Sequence, residues 1–203
     1  MKLRLCTPED AAEIAAIYAP YCNDSYVSFE EQAPGVTEIA ARITRTLQHF
    51  PWLVAVAPGG AVAGYAYAGP HRERAAYRWA ADVSVYVASD HHRRGIGRAL
   101  YTALLTILRE LGYFRALAGI TLPNFASVAL HESVGMVPVG VYDRVGYKAG
   151  AWRDVGWWQV SLRPECSPPP EPRSIAALID TPEWDDSLAD GAARIDHVYS
   201  HPA

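Results

Sequence analysis

Residues 85–100, VYVASDHHRRGIGRAL, run from an alternating β-branched segment through a basic Gly-x-Gly turn into an apolar helix. This junction restricts the chain more than any other stretch. Glycines at 95 and 97 let the backbone take positive φ and approach a ligand closely. A helix that starts there presents unpaired N–H groups and the positive end of its dipole, and both favour a phosphate or pyrophosphate. Arg93, Arg94 and Arg98 add charge around the same spot. Many strand-to-helix turns carry Gly-x-Gly for packing, so the loop alone leaves anion binding and packing both open. It is not a dinucleotide fingerprint, which needs a third glycine, and it is not a P-loop, because no Gly-Lys-Ser/Thr follows. What remains is a shorter pyrophosphate cradle.

The flanking pattern predicts a mixed sheet covered by helices. KLRLC alternates as a first strand, and Thr7, Pro8 and Asp10 read as N-cap, first helical residue and capping-box partner of a helix carrying Ile14, Ile17, Tyr18 and Tyr21. A second helix is expected over Thr37–Gln48. WLVAVAPGGAVAGYAYAG reads as a hairpin and WAADVSVYVAS as another strand. The helix from Ile96 to Leu111 follows, ended by Gly112. A strand at FRALAGITLP, a short helix at NFASVALHESVG and two last strands complete the order β-α-α-β-β-β-α-β-α-β-β, an α/β (α+β) arrangement in one domain over residues 1–163. Residues 164–203 read as a proline-rich linker and an acidic tail, a mobile or peripherally docked appendage.

Composition narrows the function classes. The 203-residue chain has a net charge of −4, which argues against a broad nucleic-acid footprint. Three cysteines without CxxC spacing read as reduced thiols, and no apolar segment reaches a membrane span, so a cytoplasmic location is expected. His91 and His92 are adjacent without a third ligand near them, and no metal is assigned.

The motifs carry a resemblance. His92-Arg93-Arg94-Gly95-Ile96-Gly97 is similar to the acetyl-CoA signature Q/R-x-x-G-x-G/A of the GNAT N-acetyltransferases, with His92 departing at the first position. LPNFASVALHESVGM resembles a later GNAT segment, N-x-x-A/S-x-x-L-Y/H-x-x-x-G-F/Y. FPWLVAV, GYAYAGP, WAADVSVYV and GYKAGAWRDVGWWQ resemble the phosphinothricin N-acetyltransferase branch over roughly residues 1–162. The resemblance implies a GNAT fold, a mostly antiparallel sheet splayed between its central strands. It also implies acetyl-CoA as cosubstrate, a small amino acid or analogue as acceptor, and a homodimer.

It further implies site residues. The cosubstrate would be held by the backbone of Val85 and Val87, by Arg93, Arg94, Gly95, Ile96, Gly97 and Arg98, and by Asn124 and Ser133. Asp82 falls at the family's glutamate base position, one methylene shorter. A misplacement of about 1 Å can cost about 10²-fold in rate, which a bridging water would offset. Asp82 is otherwise a carboxylate that orders a strand end or pairs with Arg78. His131 falls at the acid position, where its alternative is a core histidine bonded to a backbone carbonyl. Arg72, Arg74, Tyr77 and Arg78 lie just before the Asp82 strand and suit an anionic substrate head, or else form a solvated loop. The rival readings are an N-acetyltransferase for protein N-termini or another amine, and an acetyl-CoA-binding sensor.

Overall fold

The computed structural model describes residues 1–195. Seven strands form one sheet: β1 (Lys2–Leu5), β2 (Trp52–Val56), β3 (Val62–Pro70), β4 (Ala80–Val87), β5 (Arg115–Leu122), β6 (Val137–Lys148) and β7 (Ala151–Ser161), in the order β1-β2-β3-β4-β5-β7-β6. Among the described residues five α-helices flank it: α1 (Ala11–Asn23), α2 (Val36–Thr46), α3 (Ile96–Leu111), α4 (Phe125–Ser133) and α5 (Pro182–Ala193). The elements up to β7 follow the expected order. The predicted helix after Thr7 begins as a 3₁₀ turn, Pro8–Asp10, with the Thr7 amide donating to Asp10 Oδ2 at 2.8 Å.

Strand alternation divides the core into two layers. Ala81 and Val83 of β4 turn toward α3, which packs Leu100, Leu104, Ile107, Leu108 and Leu111 against that sheet face. The opposite face carries Trp52, Val54 and Tyr65, covered by Ile14, Ile17, Ile39 and Ile43 of α1 and α2. Asp82, Ser84 and Tyr86 alternate onto this second face.

The sheet is antiparallel except where β4 meets β5. That parallel pairing has three registers, Ala80–Arg115, Ala81–Ala116 and Asp82–Leu117, and then stops. Beyond it β4 stays paired to β3 as far as Val87, and β5 stays paired to β7 as far as Leu122. The two strands therefore diverge, with Asp82 at the closed end of the opening.

The C-terminal segment takes the docked one of its two expected forms, and docks into the core and not only at its periphery. Ile175, Leu178, Trp184 and Ile195 belong to the same buried cluster as α3, so residues 175–195 complete the core and are not a loose appendage. Gly191 makes the fit possible, since a Cβ there would lie 2.7 Å from the Ala99 carbonyl oxygen and 2.8 Å from Ala103 Cβ. The acidic composition hid this, because the buried positions of α5 are Trp184, Ser187 and Gly191, of which one carries a large apolar side chain. The proline-rich stretch is also tied down: Arg173 N donates to the Leu111 carbonyl at 2.7 Å and Trp79 Nε1 to that of Pro170 at 2.8 Å. Residues 196–203, the end of the expected tail, lie outside the described residues.

Candidate active site

The loop after β4 forms one wall of the opening. Gly95 takes φ +78° and Arg93 φ 59°, which turns the chain into α3. Among the described residues no side chain caps that helix, and the amide of Ala99 is the first to bond back, to the Gly95 carbonyl at 2.9 Å. The amides of Ile96, Gly97 and Arg98 thus face forward, as a pyrophosphate cradle requires. Arg93 and Arg98 are exposed beside them. The second glycine has a packing reason instead, because a Cβ on Gly97 would lie 2.9 Å from Leu130 of α4. His92, at the departing motif position, turns away from this cradle. Its Nε2 lies 2.9 Å from the Val87 carbonyl, which also accepts from Tyr21 Oη at 2.7 Å. That carbonyl is therefore spent within the protein, and only the rest of the Val85–Val87 backbone is open to a ligand.

On the facing lip, Asn124 Oδ1 accepts from the Ser127 amide at 3.1 Å and so caps α4. Ser133 Oγ donates to the Leu130 carbonyl at 2.7 Å. It borders a hollow of about 280 Å³ with Arg98, Thr102 and Arg194.

His131 is bonded at both ring nitrogens. Its Nδ1 lies 2.7 Å from the Ser127 carbonyl and so carries a proton, and its Nε2 accepts from Tyr101 Oη at 2.9 Å. Burial holds its pKa below the usual imidazole value, against a smaller opposing effect of the Ser127 carbonyl. Both ring nitrogens are engaged within the protein, which is the hydrogen bonding of the core-histidine alternative. Tyr101, overlooked in the sequence as one more buried position of α3, is 3.5 Å from the Val83 carbonyl, the first residue past the last β4–β5 pair.

Asp82 is partnered by a residue that the sequence reading missed. His71 Nδ1 lies 2.6 Å from Asp82 Oδ1. Gly69 pairs with Asp82, so His71 is the diagonal neighbour two positions on, on the same face, and within reach of a long side chain. That register was the available signal. Burial raises the Asp82 pKa above the ordinary carboxylate value, with His71 and Arg72 pulling the other way. The imidazole packs edge-on against Tyr77 and Trp157, at centroid distances of 5.7 and 5.9 Å. Arg72 lies over the Trp157 ring at 5.6 Å and donates to the His71 carbonyl at 2.8 Å.

The arginine loop divides. Arg72 and Tyr77 stand beside the His71–Asp82 pair. Arg78 does not: it stacks on Trp79 at 3.8 Å and forms a two-point ion pair with Glu171, at 2.6 and 2.7 Å. Its guanidinium faces Glu171 of the C-terminal segment, while Asp82 is paired with His71 instead. Arg74 is exposed and borders the hollow between this loop and Glu171.

Residues 3–157 match the acetyltransferase (GNAT) domain family. A phosphinothricin N-acetyltransferase of Streptomyces viridochromogenes is 40% identical over 172 residues, covering 85% of this chain and 92% of that protein. An L-methionine sulfoximine/L-methionine sulfone acetyltransferase of Salmonella typhimurium is 32% identical over 83% of this chain and 98% of its own length. Among solved structures, a phosphinothricin acetyltransferase from Sinorhizobium meliloti in complex with AcCoA superposes with a TM-score of 0.77 at 31% identity, covering 85% of this chain and 98% of that one. The splayed sheet, the glycine turn and this similarity agree, and the chain belongs to the GNAT acetyltransferase family.

Proposed function

We propose that the protein transfers the acetyl group of acetyl-CoA to the amino group of a small amino acid or analogue of the phosphinothricin or methionine sulfoximine type. The observation that carries this reading is the opening between β4 and β5, with Asp82 and His71 at its closed end and Arg72 beside them. Acetyl-CoA would lay its pyrophosphate on the Ile96–Arg98 amides with Arg93, Arg94 and Arg98 around it, and run its pantetheine arm between the strands. Asn124 and Ser133 border the far side. Arg72 suits the anionic head of the acceptor, with Arg74 at the rim.

Both substrates bind together. The ammonium group gives up a proton toward the Asp82–His71 pair, the freed lone pair attacks the thioester carbon, and the C–S bond breaks as the amide C–N bond forms. A thiolate, with an ordinary thiol pKa near 8.5, departs far more readily than an amine and takes its proton from solvent. His131 then serves as a positioning residue that holds Tyr101 beneath the splay.

The reading also includes a homodimer. Edge strand β6 and its hairpin partner expose Val137, Val139, Val141, Tyr147 and Trp152, an apolar strip of the sort that marks interfaces. Trp158, by contrast, is core, and Trp157 belongs to the site.

Free-thiol release tests the chemistry. With acetyl-CoA, prompt release is expected for phosphinothricin, methionine sulfoximine and methionine sulfone, and a fall of about 10²–10⁴-fold in Asp82→Ala. Release with a short peptide and none with the small acceptors would replace the substrate class. Binding of acetyl-CoA without turnover on any amine would leave a sensor.

A further inference from the structure

We propose that His71 Nε2 is the atom that takes the proton from the substrate amine, and that Asp82 acts through it by holding the imidazole at Nδ1. This deepens the acetyl-transfer reading above and rests on it. The geometry comes first. The 2.6 Å contact joins Asp82 Oδ1 to Nδ1, so a carboxylate at 82 fixes the proton on Nδ1 and leaves Nε2 as a bare acceptor. Among the described residues Nε2 has no hydrogen-bond partner, while Nδ1 and the backbone carbonyl of His71 are both engaged. Tyr77 and Trp157 pack edge-on around the ring and set its plane.

This arrangement also accounts for the short carboxylate. An aspartate at the position where the family carries glutamate falls about 1 Å short of a substrate nitrogen, a displacement that can cost about 10²-fold. An imidazole interposed at Nδ1 moves the accepting atom outward across the ring and supplies a base suited to neutral pH. The proton passes from the ammonium group to Nε2, giving an imidazolium stabilised by the Asp82 carboxylate. The neutral amine attacks the thioester, and the adduct nitrogen loses its second proton to solvent as the C–S pair leaves on the thiolate. The thiolate takes a proton back from solvent, and the imidazolium returns its own proton to solvent. The net products are the acetamide, CoA thiol and one proton.

The charged and titratable groups around the pair are Arg72 from the same loop, Tyr77 from the following 3₁₀ turn, and Tyr67 from β3, which feels the Asp82 charge. Trp157 from β7 adds an uncharged wall. Burial raises the Asp82 pKa, and the hydrogen bond from His71 and then the cation of Arg72 oppose it in favour of the ionised carboxylate that the relay needs.

Two measurements test the inference. The first does not depend on turnover: ¹⁵N imidazole shifts of His71 are recorded at neutral pH in the full chain. The proposal expects a bare Nε2 and a protonated Nδ1, with that preference lost in Asp82→Asn. A bare Nδ1 overturns it. The second is the pH profile of kcat/KM. His71→Gln keeps a donor for Asp82 but has no basic nitrogen, and should lose about 10²-fold while its acidic limb moves down to where a carboxylate titrates. Adding Asp82→Glu to His71→Gln should restore tenfold or more, because the longer carboxylate then reaches the amine unaided. Turnover in His71→Gln within threefold of wild type and an unmoved limb would overturn the relay while leaving the acetyltransferase reading intact. Absence of thiol release in the wild type would overturn both.

Discussion

Trp184→Ala asks whether the C-terminal segment is part of the fold. The side chain is 5% exposed and lies in the cluster formed by α3 and the sheet. Removing a buried tryptophan costs about 3–5 kcal/mol, because transfer energy is lost and the cavity closes only in part. For a chain of this size each kcal/mol lowers Tm by about 2–4 °C, so the expected fall is about 6–20 °C. Thermal unfolding followed by circular dichroism reads it directly. Because α5 packs along the helix whose first turn would hold the pyrophosphate, repeating the melt with saturating acetyl-CoA adds a second readout. The stabilisation by ligand should shrink if loosening α5 also loosens the Gly95 turn, whose Cβ position lies 3.2 Å from the Arg194 carbonyl oxygen. A Tm within 2 °C of wild type would refute the docked segment, and the mobile alternative would stand.

Other substitutions separate the remaining claims. Gly95→Ala forces a side chain into left-handed backbone at about 1–2 kcal/mol, so Tm should fall by about 2–8 °C and acetyl-CoA affinity should weaken by calorimetry. Arg72→Gln should raise KM for an anionic-headed acceptor by about 10–100-fold, the worth of a charged hydrogen bond. Arg78→Gln should leave that KM unchanged, because its guanidinium already faces Glu171. Asp10 gives a pH test. Burial alone would raise its pKa, but the Arg4 guanidinium and the Thr7 amide outweigh burial and hold it below the usual value. A depressed folded pKa stabilises the fold above the unfolded value near 3.9, and that contribution is lost as pH falls through the lower folded value. Asp10→Asn should therefore cost about 1–2 kcal/mol at pH 7 and flatten the acid limb of denaturant-midpoint profiles.

What the sequence determined by itself is what short-range patterning and backbone demand can specify. The period-two run before Ala88 and the helical period after Ile96 fix a strand, a turn and a helix, and the need for positive φ explains Gly95 and Gly112. The order of elements through β7 follows from the same signals, and two spaced motifs point to the family. Tertiary structure decided which side chains meet. His71 and Asp82 are 11 residues apart, Arg78 and Glu171 are 93 apart, and Tyr101 and His131 are 30 apart. No local period encodes such pairs; the first depends on the register of β3 on β4, the second on where the proline-rich stretch runs, and the third on how α4 sits against α3. How deeply the tail docks was hidden for the same reason. Ile175 lies in a short 3₁₀ turn that Leu178 ends, and Trp184 in a separate helix, so they form no continuous apolar face of their own. They become core because they pack with α3, with Gly191 allowing the close approach.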